Sequence, residues 1–131
     1  MSPRSVLRAT VDLPPGARSA AAARHLVGQV LEAWSAEGFR DDAVLLVSEL
    51  VSNVIRHVIG GAVMRIEVRL SEPGLHVAVI DSSAAPPTRR SGGSHGGHGL
   101  SLVSVVAHRW GSEAHGSGKR VWFELAPADT G

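Results

Sequence analysis

Cysteine is absent from the 131-residue chain, which excludes disulfides, thiolate metal sites and a cysteine nucleophile together. No stretch approaches the ~18 consecutive apolar residues that a membrane-spanning helix needs. The opening segment MSPRSVLRATVDLPPGARS also lacks the apolar core of a secretion signal. A charge excess is missing too: 13 Lys and Arg stand against 12 Asp and Glu, a formal net charge of +1, with no long Lys/Arg run. Without that excess there is no electrostatic footprint of nucleic-acid or membrane-surface binding. We therefore expect a cytoplasmic protein whose partners are neither nucleic acid nor membrane. Internal repeats and interdomain linkers are likewise missing, so the whole chain, 1–131, reads as one domain. Hydrophobic residues make up 44% of it, enough for a real core and too many for a disordered chain.

Along the chain the periodicity changes several times. SVLRATVDL (5–13) alternates, with Val6, Ala9, Val11 and Leu13 as inward positions, and then meets Pro14, Pro15 and Gly16, so a strand ended by a turn is predicted. Residues 17–37 space Ala23, Val27, Val30, Leu31 and Trp34 at threes and fours, the pattern of an amphipathic helix, with Gly38 as its stop. A second helix is predicted over 42–58, with Asp41 or Asp42 as N-cap and Gly60-Gly61 as its end. AVMRIEVRLSEPGLHVAVID (62–81) makes two alternating runs around Ser71-Glu72-Pro73-Gly74, a β-hairpin. Residues 82–98 are rich in Ser, Pro and Gly, a long loop of the kind that is more often functional than idle. Helical spacing returns over 99–110, and WGSEAH with KRVWFELA closes the chain as a hairpin around Gly116-Ser117-Gly118. This order predicts an α+β two-layer sandwich, with a mixed, mostly antiparallel sheet and helices on one face.

Chemistry concentrates in the second helix. Glu49, Asn53 and His57 recur every four residues, so they lie along one stripe, and Val44, Leu45, Leu46, Val47, Leu50, Val51, Val54, Ile55 and Val58 surround it. A polar stripe that narrow suits the floor of a pocket as well as it suits a solvated face. A carboxylate can take a proton from a hydroxyl or orient a water, and an amide oxygen is a fit ligand for Mg²⁺ when phosphates and waters supply the rest. Asp81 closes the apolar strand LHVAVID, where a carboxylate can cap a turn or accept a hydrogen bond from an exocyclic amine such as that of adenine. GGHGL (96–100) leads flexible backbone to a helix start, which favours phosphate, and Arg89 and Arg90 in the same loop are candidate anion contacts. Gly97–Leu102 lacks the third glycine of a dinucleotide fingerprint, and GSGKR (116–120) has Glu113 and Arg120 where a P-loop needs Gly and Ser or Thr. The seven histidines show no compact ligand spacing for structural zinc.

Together E-L-V-S-N-V-I-R-H (49–57), the Asp81 strand end, G-H-G-L (97–100) and G-K-R-V-W-F-E-L (118–125) resemble the histidine-kinase-like ATPase superfamily, over about residues 6–126. Within it the chain is similar to the small bacterial anti-sigma factor serine/threonine kinases. The resemblance implies the Bergerat ATP-binding fold, with residues 82–98 as a lid and ATP and Mg²⁺ as cofactors. It implies Glu49 as catalytic base, Asn53 as Mg²⁺ ligand and Asp81 as the adenine-recognising residue. Gly97 and Gly99 would hold the phosphate-binding turn beside His98 and Leu100, and His57, Ser83, Arg89 and Arg90 would line the nucleotide. Its implied partners are a sigma factor and an anti-sigma-factor antagonist, with a possible homodimer. Ser83 stands where the superfamily usually has Gly, and Arg120 where many relatives carry Thr. A second reading, a regulator of the same fold that captures partners without catalysis, follows from those two positions.

Overall fold

The computed structural model describes residues 6–13, 16, 18–57, 64–72, 74–81, 98–116 and 118–127, with the side chains of 55–57, 98–101 and 115 left aside. Among the described residues, five strands and three α-helices follow in the order β1 (Leu7–Leu13), α1 (Ser19–Ala33), α2 (Arg40–His57), β2 (Met64–Ser71), β3 (Gly74–Asp81), α3 (His98–Val106), β4 (Arg109–His115) and β5 (Gly118–Leu125). A 3-10 turn, Glu37–Phe39, leads into α2. The strands form one sheet in the order β1-β2-β3-β5-β4, and every pairing among them is antiparallel. The expected two-layer α+β architecture is what the chain adopts, and among the described residues the sheet has no parallel pair.

Period-two alternation assigns the two faces of the sheet. Met64, Ile66 and Val68 of β2, Leu75, Val77 and Val79 of β3, and Val121, Phe123 and Leu125 of β5 are buried against the helix layer. That layer contributes Ala23, Val27 and Leu31 from α1 and Ala43, Leu46, Val47, Leu50, Val51 and Val54 from α2. Each such Val, Leu or Phe contributes about 1.5–3 kcal/mol by leaving water, so this interface accounts for most of the stabilisation. Helix α2 packs on β3, β5, α1 and α3, which makes it the central support of the fold. Gly28 permits the close crossing of α1 and α2, since a methyl there would meet Arg40 Nε at 3.3 Å and Val44 Cγ2 at 3.8 Å.

Four local expectations need correction. Helix α1 ends at Ala33, five residues short of Gly38, because Ser35 takes the left-handed conformation (φ 55°). The Ser35 N–H donates to the Glu32 carbonyl at 3.1 Å and the Ala36 N–H to the Leu31 carbonyl at 2.8 Å, a Schellman closure built on serine instead of glycine. Helix α2 starts at Arg40, so Asp41 and Asp42 sit inside its first turn, where the helix dipole favours acids. Val6, counted as an inward strand position, precedes β1 and is 43% exposed. The third helix also spans 98–106 where 99–110 was predicted, so Arg109 and Trp110 belong to β4, and His98 belongs to a helix and not to the loop.

Candidate functional site

Helix α2 presents Glu49 and Asn53 one turn apart on the flank of its apolar stripe. Leu46 and Leu50 on one side of this pair are sealed into the core, while Leu45, one turn before Glu49, is 41% exposed. The polar stripe therefore dives along the helix: Leu45 lies open, Glu49 is half-buried and Asn53 keeps only 6% of its surface. Asn53 is thus buried, while Glu49 keeps part of its surface in contact with solvent. Nearby, Arg24 of α1 donates to the Ser48 hydroxyl at 3.1 Å, tying the exposed side of the same turn to the neighbouring helix.

Asp81 closes β3 and is 4% exposed. Burying a carboxylate is costly unless it is partnered, and among the described residues no buried side-chain nitrogen or oxygen lacks a partner. The sheet register explains how the position is built. Asp81 stands opposite Met64 of β2 and Lys119 of β5, and directly opposed residues in an antiparallel pair share a face. The opposed pairs Val79–Val121 and Val77–Phe123 are buried under the helices, so Asp81 and Lys119 continue that same row on the helix side. Gly118 lets β5 come in this closely: a methyl on it would fall on the Asp81 carbonyl and within 3.0 Å of Asp81 Oδ1.

Lys119 is the residue that sequence reasoning passed over. The signal was available in KRVWFEL, because once Val121, Phe123 and Leu125 point inward, period two sends Lys119 inward and Arg120 outward. Arg120 lies on the far face, against Glu113 at 3.2 Å and His76 Nε2 at 2.8 Å. It is not beside Asp81.

The other predicted positions divide between backbone-only placement and none. His57 is the last residue of α2, and His98, Gly99 and Leu100 form the first turn of α3, which packs against α2. Gly99 thus lies within a helix. Ser83, Arg89, Arg90 and Gly97 lie outside the described residues, as do residues 82–97 of the expected lid.

A half-buried carboxylate, a buried amide one turn away and a buried carboxylate at a strand end are residue types that could serve a magnesium nucleotide. The amide oxygen suits Mg²⁺, and the strand-end carboxylate suits an exocyclic amine. The fold is that of an α+β two-layer domain with one antiparallel sheet among the described residues. More specifically, the sequence pattern of the histidine kinase-like ATPase domain matches residues 13–125, and the chain belongs to that family. Among curated proteins, none matches the chain. Family membership makes ATP the implied ligand.

Proposed function

We propose that the protein is a serine/threonine kinase of the anti-sigma factor type, transferring the γ-phosphoryl group of Mg·ATP to a serine of an anti-sigma-factor antagonist. The observation that carries this reading is the pairing of Glu49 and Asn53 on one inward-turning stripe of α2, in a domain whose family binds ATP. In this reading Glu49 accepts the proton of the attacking serine hydroxyl, and Asn53 would hold Mg²⁺ against the phosphates. Asp81 accepts a hydrogen bond from the adenine amino group. Magnesium, when bound, neutralises charge on the phosphates, so the chain's own task is positioning and proton removal. Regulation follows from the second activity we infer, capture of a sigma factor while the antagonist is absent. Cytoplasmic location is part of the same proposal; among the described residues no helix is long and apolar enough to cross a membrane.

Radiolabelled ATP with the cognate antagonist tests the proposal. Wild-type protein should label a serine, and Glu49→Gln should lose about 10²–10⁴-fold in transfer rate while still binding nucleotide. Nucleotide bound without any label on the antagonist would refute kinase activity. An acid-labile label would show transfer to histidine instead.

A further inference from the structure

The sheet face that the helices leave uncovered is organised in cross-strand rows. One row is Asp12, Arg65, Ile80, Arg120 and Glu113. Its charges are balanced: Arg65 binds Asp12 at 2.7 Å and Arg120 binds Glu113 at 3.2 Å. Two rows away the order is Arg8, Arg69, His76, Glu124 and Arg109. Here three arginines stand in a row that holds a single carboxylate. Glu124 is held by His76 Nδ1 at 2.9 Å and lies 3.6 Å from Arg109, while Arg8 and Arg69 make no ion pair among the described residues. Arg8 and Arg69 are directly opposed on neighbouring strands, an arrangement of like charges that costs stability and that packing does not require.

A cleft of about 140 Å³ opens along this row. A single water needs only about 10–15 Å³, so the cleft has room for a tetrahedral oxyanion with some of its waters. Arg69, Ser71, His76, His108, Arg109 and Glu124 supply its polar walls. It also lies far from the residues assigned to ATP. His76 precedes Asp81 by five positions in β3, about 16 Å at ~3.3 Å per residue, and the two point to opposite faces of the sheet.

We propose that this cleft is an oxyanion-binding site that takes a phosphate group between Arg69 and Arg109, with the Ser71 hydroxyl and His108 as further donors. Guanidinium groups on both sides give the planar, charge-assisted contacts that phosphate favours. Glu124 competes with the anion for Arg109 and thereby sets the affinity.

Titration of inorganic phosphate into the isotope-labelled full chain at constant ionic strength, followed through backbone amide shifts, tests the site. Saturable shifts should appear at Ser71, Gly74, His76 and His108. Arg69→Gln and Arg109→Gln should each weaken binding by about tenfold, and Glu124→Gln should tighten it. A purely structural network predicts no such gain. A parallel titration with a phosphoserine peptide separates the sources: tighter binding than inorganic phosphate points to a phosphate carried on a protein segment, and equal binding to the free ion. Absence of saturable shifts at the four residues, shifts confined to the Asp81 end of the sheet, or unchanged affinity in both arginine variants would overturn the proposal.

Discussion

Substituting Gly118 by alanine tests the construction of the Asp81 end of the sheet. Its φ lies outside the left-handed range, so alanine meets no conformational penalty, and the whole effect is steric. The added methyl would sit 2.8 Å from the Asp81 carbonyl carbon and 3.0 Å from Oδ1, with the carbonyl oxygen closer still. All of these are tighter than real methyl contacts, and the backbone atoms among them cannot rotate away. Relief requires β5 to draw back from β3, which sacrifices about one ladder hydrogen bond at about 1 kcal/mol and adds an overpacking cost of about 1–3 kcal/mol. A loss of about 2–4 kcal/mol is therefore expected, within the 5–15 kcal/mol typical of a domain, so the variant should still fold. Gly116→Ala provides the contrast. That glycine has φ 57° with nothing within 4 Å, so alanine should cost only about 1–2 kcal/mol, from conformation alone. Urea denaturation of both variants measures the difference, and calorimetric titration with Mg·ATP should show affinity lost in Gly118→Ala and retained in Gly116→Ala. If Gly118→Ala is no less stable than Gly116→Ala and binds ATP like wild type, the packing argument fails.

Two further outcomes follow from local geometry. Ser35→Gly should raise stability by about 0.5–1 kcal/mol, since the left-handed position costs a side-chain-bearing residue about 1–2 kcal/mol and glycine returns about half of that gain as chain entropy; a shift to lower denaturant midpoint would contradict it. A guanidinium only donates, so the Arg120 contact at 2.8 Å makes His76 Nε2 an acceptor, leaving a neutral ring whose Nδ1–H donates to Glu124. Burial pushes the His76 pKa below its ordinary 6.5; the Glu124 hydrogen bond opposes this, and the charges of Arg69 and Arg120 reinforce it. The unfolded chain then takes up the proton first, so this residue leaves stability unchanged above pH 6.5 and lowers it as pH falls below. Denaturant midpoints between pH 8 and 5.5 should fall more steeply for wild type than for His76→Gln, and parallel curves would exclude the effect.

Much of the fold was legible in the chain because helix and strand periods are local properties. Ala23, Val27 and Leu31 announce α1, and the alternation of MRIEVRL and LHVAVID announces the β2–β3 hairpin together with its inward face. Glu49 and Asn53 could be picked out as a stripe for the same reason, since one helical turn is set by spacing alone. Ser35 escaped notice because a serine in the left-handed position has no compositional marker, whereas Gly38 advertised a stop that the helix never reached.

Sequence by itself determined the inward rows of α1, α2 and the β2–β3 hairpin, that Asp81 ends an apolar strand, and that the chain has the order of motifs found in histidine kinase-like ATPases. Tertiary structure alone decided that β5 inserts beside β3 and leaves β4 at the edge, which sets Lys119 and Gly118 against Asp81 and sends Arg120 to the opposite face. It also aligned Arg8, Arg69, His76, Glu124 and Arg109, drawn from five strands, into one row. The physical reason is that strand order and register follow from how whole apolar faces are covered at once, a property of the assembled layers that no local window of the chain contains.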